Sequence, residues 1–110
     1  MKLLITGATG FIGKNICQRL IQEKINFSCI VRENSNKKFL LFNKISYFIF
    51  DGDIKNLVKY MNFEEFTGVI HLASLYLTQH KKDQVEDLIL SNILFGTKIL
   101  EASMHAKIPW

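Results

Sequence analysis

Cysteine is scarce in this sequence, and the two that occur, Cys17 and Cys29, sit in apolar periodic segments with nothing at metal-ligand spacing. That pattern excludes a disulfide scaffold and a metal site, and both thiols read as reduced, buried residues packing as small hydrophobes. Charge is thin: 14 Lys and Arg against 10 Asp and Glu leave +4, and only Lys37/Lys38 and Lys81/Lys82 are adjacent. A nucleic-acid surface needs bases clustered on one face, so no nucleic-acid partner is expected. A mild positive bias suits a phosphorylated ligand, and a solvated surface explains it equally well. No apolar run approaches the roughly 18 residues of a membrane span. Met1 to Ile5 reaches Thr6 and Gly7 at once, without the n-region or cleavage site of a signal peptide, so it reads as a strand and the expected location is cytoplasmic. Repeats, low-complexity tracts and linkers are missing too. With 110 residues, 48% of them hydrophobic, the expectation is one domain over residues 1–110 and no room for a second.

What is present is an alternation of two periodicities. Lys2 to Ile5 is a continuous apolar run ended by glycine, and Phe11, Ile12, Ile16, Leu20 and Ile21 then recur at helical spacing to about Glu23. Phe27–Val31, Ile45–Phe50 and Gly68–Leu72 are further strand candidates, with a weak helical patch at Phe39–Phe42 and a short helix at Ile54–Met61 between them. Asp83 with Glu86 three residues later predicts a capping box. From Val85 an apolar stripe through Leu88, Ile89, Ile93, Ile99 and Leu100 predicts one long helix to about Met104, with Leu90 and Leu94 forming a second apolar face. Four strand–helix alternations with apolar strand faces predict an α/β fold: a partial, doubly wound parallel sheet of about four strands, Rossmann-type. Pro109-Trp110 falls where a fifth strand is expected to begin, and the fourth strand is expected to be an open edge.

The most specific signal is Thr6-Gly7-Ala8-Thr9-Gly10-Phe11-Ile12-Gly13, glycines at i, i+3 and i+6 between the first strand and the first helix. Gly7 permits the tight turn, Gly10 lets backbone approach a pyrophosphate with no Cβ in the way, and Gly13 allows close packing of helix on strand. The free N–H groups and positive dipole end of the helix then face the phosphates.

This spacing, together with Gly52-Asp53-Ile54, His71-Leu72-Ala73-Ser74 and Asn92-Ile93-Leu94-Phe95-Gly96-Thr97-Lys98, resembles the extended short-chain dehydrogenase/reductases of the NAD(P)-dependent epimerase/dehydratase family. The resemblance implies that Phe11 and Ile12 lie against the pyrophosphate, that Asp53 and Ile54 hold the adenine, and that Leu72, Ala73 and Ser74 run along the ribose and phosphates. Asn92 matches the family's cofactor-contacting asparagine. Each has a plainer alternative: Asp53 as a helix cap, Asn92 as a satisfied polar residue between helices. His71 follows Ile70 on an apolar strand and is assigned no chemistry.

An NAD enzyme of this fold carries an acid at the tip of the second strand, roughly 20 residues past the glycine turn. Ungapped counting puts Val31 there, next to Arg32, whose guanidinium suits a 2′-phosphate, with Lys37 and Lys38 close by. NADP(H) is therefore favoured over NAD, although a small shift in the turn presents Glu33 to a ribose instead. The family's chemistry depends on a Tyr-x-x-x-Lys pair that brings a tyrosine pKa down from about 10. Tyr47, Tyr60 and Tyr76 have Asp51, Glu64 and His80 four residues on, so no catalytic residue is assigned. The chain by itself is expected to bind a dinucleotide weakly and turn nothing over. As the start of a longer enzyme it implies hydride transfer at a carbon of a nucleotide-diphosphate sugar; the alternative is a non-catalytic dinucleotide-binding module or a decayed gene. The resemblance also implies a dimer interface on the 85–104 helix, and self-association is expected.

Overall fold

The computed structural model describes all residues, 1–110. Strand β1 (Lys2–Thr6) leads through the glycine turn into α1 (Phe11–Gln22), then β2 (Asn26–Val31), α2 (Lys38–Phe42), β3 (Ser46–Ile49), α3 (Ile54–Glu64) and β4 (Gly68–His71). The four strands form one parallel sheet in the order β3-β2-β1-β4, with Lys2 opposite Asn26, Leu3 opposite Gly68 and Ser28 opposite Ser46.

Alternation along β1 decides which side each residue serves, because successive side chains of a strand point to opposite faces. Leu3 and Ile5 pack with Cys17, Leu20 and Leu40 from α1 and α2, whereas Leu4 packs with Leu57 and Met61 of α3. Both faces of the sheet are thus covered, which makes the fold α/β and doubly wound. Cys17 and Cys29 are free, buried thiols in the first of these clusters. Buried Ser28 is satisfied from two sides, donating to the Ser46 carbonyl at 3.0 Å and bonding the Tyr60 hydroxyl at 2.6 Å.

Four helices stop at residues that no glycine marks. Lys24, Lys44, Glu65 and Lys107 all adopt left-handed φ values of 53 to 56°, the conformation that usually recruits glycine to close a helix. Accordingly α3 runs to Glu64, three residues past the expected Met61.

After β4 the chain departs further from its sequence pattern. The expected capping box at Asp83 and Glu86 does not form; a short 3₁₀ turn, Lys82–Gln84, starts the helix early. Gln84 Oε1 accepts the Lys81 N–H at 2.8 Å, so the reach-back bond is made two residues earlier and Asp83 lies inside the turn. The expected single helix is continuous but not uniform: α4 (Val85–Ile89) passes through a π-helical turn, Leu90–Leu94, into α5 (Phe95–His105). A π turn takes up extra residues, and the apolar stripe is split along its length into an inward and an exposed edge. Ile99 and Ala102 are buried beside α3, while Val85, Ile89, Ile93 and Leu100 are exposed. β4 is the edge strand, as expected, although not bare: the Val69 N–H donates to the Trp110 carbonyl at 2.7 Å, and the Trp110 ring lies against Gly68.

Candidate functional site

Three glycines close together in the turn have three different reasons to be glycine. Gly7 has φ +72°, and a Cβ there would lie 2.6 Å from the Ala73 nitrogen. At Gly13 a Cβ would overlap the Gly7 carbonyl and sit 2.7 Å from the Ala8 Cα, so its absence lets α1 press onto the end of β1. Gly10 has an ordinary extended backbone (φ −77°), and the nearest atom to a built Cβ is at 3.4 Å, normal contact. Folding therefore demands glycine at 7 and 13 and not at 10.

Gly10 is also the N-cap of α1, which has no side-chain cap and no acidic residue in its first turn. The first-turn N–H groups and the positive end of the helix dipole are left uncompensated. They open beside a cleft of about 560 Å3 at the carboxyl ends of the strands. The cleft lies where the chain leaves adjacent strands β1 and β4 toward opposite faces of the sheet, the switch point at which open α/β sheets take their ligands.

Of the residues singled out in the sequence, Gly7, Gly10, Arg32, Leu72, Ala73 and Ser74 line this cleft. The others lie around it. Phe11 and Ile12 are exposed on the first turn of α1, and Gly13 is buried behind. Asp53 caps α3, its carboxylate accepting the Lys55 N–H at 2.8 Å, and Ile54 follows as the first helical residue. Asn92 clamps the segment after β4: Oδ1 accepts the Leu75 N–H at 2.6 Å and Nδ2 donates to the Leu75 carbonyl at 2.8 Å. Arg32 has no carboxylate partner; its backbone N–H donates to Ser35 Oγ at 3.0 Å, which shapes the turn after β2. Lys37 is turned into that loop, donating to the Glu33 carbonyl at 2.6 Å, whereas Glu33 and Asn34 line the cleft beside Arg32.

Sequence reading missed the opposite wall. Phe50, Asp51 and Gly52 follow β3, and Leu90, Leu94, Phe95 and Lys98 face them from the π turn and α5. Lys98 Nζ donates to the Gly52 carbonyl at 2.8 Å, tying helix to strand end. The Asp51 carboxyl is held below the usual range by the Asp53 N–H, then by the Asn56 amide, with the Lys98 charge a smaller contribution. The available signal was the spacing 91, 94/95, 98, which puts a polar-edged stripe on one helix face; the second apolar face at Leu90 and Leu94 was part of it.

Parallel sheet, glycine turn, uncapped helix and switch-point cleft together define a Rossmann-type protein. The chain belongs to the NAD dependent epimerase/dehydratase family, whose family model matches residues 3–109. It is 30% identical to Protein CapI of Staphylococcus aureus over 98% of this chain and 35% of that protein. Among solved structures it resembles the UDP-glucose 4-epimerase of Thermus thermophilus, in complex with NAD, at 25% identity and TM-score 0.79 over 98% of this chain and 35% of that one. It also shares the fold of the UDP-glucose-4-epimerase from Stenotrophomonas maltophila, with 22% identity and TM-score 0.82 over 98% of this chain and 34% of that one. The chain thus spans about a third of the length of these relatives. No helix is long and apolar enough to cross a membrane.

Proposed function

We propose that this chain is the cofactor-binding part of a nucleotide-sugar epimerase, dehydratase or reductase, with a nicotinamide dinucleotide in the cleft and NADP(H) preferred over NAD(H). Gly10 carries the reading: neither φ nor packing requires glycine there, and it sits where a bound pyrophosphate would need bare backbone. The α1 N–H groups beside Phe11 and Ile12 would hold that pyrophosphate, Leu72, Ala73 and Ser74 would flank the ribose and phosphates, and Asp53 and Ile54 would meet the adenine. Asn92 supports this wall through Leu75. Arg32, free of any ion pair at the end of β2, would pair with a 2′-phosphate. When bound, the nicotinamide would supply reversible hydride exchange with a sugar carbon of a nucleotide-diphosphate sugar. Gly7, Gly10 and the helix end would orient its pyrophosphate, and Leu90, Leu94 and Phe95 would form an apolar side of the cleft against it. The exposed Val85, Ile89, Ile93, Leu100 and Met104 would be covered by a second copy, read by sedimentation at tens of micromolar.

The test is a fluorescence titration with NADPH and NADH on the chain, Gly10→Asp and Arg32→Ala. Asp fits the extended N-cap backbone and caps at least as well as glycine, so stability should hold or rise by a few tenths of a kcal/mol while binding vanishes. Arg32→Ala should weaken NADPH about tenfold and leave NADH nearly unchanged, as expected for one charge-assisted contact. Undiminished binding by a folded Gly10→Asp protein would refute the site.

A further inference from the structure

Thr6, the last residue of β1, is fully buried, yet its hydroxyl meets three groups. The backbone N–H of Ala73 donates to Oγ1 at 3.2 Å, that of Leu72 is shared between Oγ1 at 3.1 Å and the Thr6 carbonyl at 3.2 Å, and His71 Nδ1 lies 2.7 Å from the same hydroxyl. Two accepted bonds occupy both lone pairs of a hydroxyl, which leaves its one proton to be given to Nδ1. This arrangement calls for a neutral imidazole with its own proton on Nε2. The surroundings are shaped to that ring. Phe95 meets it edge-on with centroids 5.7 Å apart, and a Cβ on Gly96 would lie 3.2 Å from Nε2, so only glycine leaves the ring its full space.

We propose that His71 is a positioning residue for the dinucleotide site: by accepting the Thr6 proton it fixes that hydroxyl as the anchor of the Leu72–Ala73 backbone, and its protonation releases the anchor. The inference rests on the cofactor reading above. An imidazolium carries a proton on Nδ1, so three donors would converge on one oxygen; the Leu72 N–H can fall back on the Thr6 carbonyl, and the Ala73 N–H, which has only this oxygen, is the bond that is weakened. Leu72 and Ala73 form a wall of the cleft, and the Ala73 nitrogen sits against the bare face of Gly7, so the loss is transmitted to the phosphate turn.

The groups reaching the ring are Thr6 from β1 and Phe95 and Gly96 from α5, and none of them titrates. His71 stands partly in solvent, and the partial burial of its ring holds its pKa below the ordinary value. A histidine whose folded pKa is depressed supports the fold fully above about pH 6.5 and progressively less as pH falls through the folded value.

The experiment combines histidine nitrogen NMR on the 110-residue chain with calorimetric titration of NAD+ at pH 7.5 and 5.0. NAD+ is used because a 2′-phosphate itself titrates near pH 6. The expected results are an Nε2–H tautomer at pH 7.5 and a dissociation constant that rises about threefold or more at pH 5.0. His71→Gln keeps an acceptor that does not titrate, so its two dissociation constants should agree; His71→Leu, with no acceptor, should bind weakly at both. An Nδ1–H tautomer, or the same acid weakening in His71→Gln, would overturn the proposal. If NAD+ binds at neither pH, the cofactor reading fails separately. Intrinsic-rate-corrected amide protection of Ala73, whose N–H has no other acceptor, then decides the anchor: lower protection at pH 5.0 supports it, and equal protection at both pH values overturns it.

Discussion

The two walls of the cleft are held in very different ways. The glycine-turn wall grows out of β1, α1 and β2, where Leu3, Leu4, Ile5, Thr6, Ala8, Cys17 and Cys29 are all buried and backbone touches backbone without an intervening Cβ. The facing wall, from the end of β4 to α5, contains no buried residue between Gly68 and Ile99. It is held by single ties: Asn92 on Leu75, Lys98 on Gly52, Thr6 on Leu72 and Ala73. Segments with few buried apolar contacts open at low free energy, while close-packed ones open only with the whole domain. One wall is therefore a rigid template, and the other can adjust to what lies between them.

The strongest way to break this contrast is to damage the rigid wall. Gly13→Ala puts a methyl into the Gly7 carbonyl and against the Ala8 Cα, neither of which can move without lifting α1 off β1. The expected cost is about 3 kcal/mol or more, a large share of a small domain's stability, with the denaturation midpoint of the whole chain falling together. A local effect, with the rest of the fold intact, would show that this wall is not the template.

Asn92→Ala should do the opposite. It removes both bonds to Leu75 and costs about 1–2 kcal/mol, expressed mainly as faster amide exchange over residues 73–80 while protection in β1 and β2 is retained. Uniform loss of protection would mean that the two walls open as one unit.

The smallest expected effect sharpens the comparison from the other side. Lys24 closes α1 at φ +56°, a conformation that glycine adopts without steric cost. Lys24→Gly should raise the unfolding midpoint by the equivalent of about 0.5–1 kcal/mol, because the relieved strain exceeds the added flexibility of the unfolded chain. A fall in midpoint would mean that the lysine's positive φ carries no strain here.

Much of the rigid wall was legible in the sequence. The Gly7-Gly10-Gly13 spacing follows a short apolar run and opens a helical stripe, and each of those signals is local. The lightly held wall was read less well, and particular residues show why. Asp83 and Glu86 have capping-box spacing, but Gln84 answers Lys81 two residues earlier. The stripe from Val85 assumes 3.6 residues per turn, and the Leu90–Leu94 π turn breaks that count. His71, read as one more residue of an apolar strand, lies on the sheet edge with part of its surface in solvent and a specific partner on β1. Asp53 and Asn92 were open between two roles; the structure shows a helix cap and a loop clamp, and contact with a ligand is left to the titrations.

By itself, the sequence determined the α/β class, the alternation that puts Leu3 and Leu4 on opposite faces, and the turn that aims a helix end at a cleft. Those depend on strand and helix periods and on the missing Cβ of glycine, which neighbouring residues reveal. Only the tertiary structure decided that Lys98 reaches Gly52, 46 positions away, and that the Thr6 hydroxyl lies 2.7 Å from His71 Nδ1, 65 positions away. Such pairings are made when sheet order and helix rotation bring distant residues within hydrogen-bond reach, and no local period encodes them.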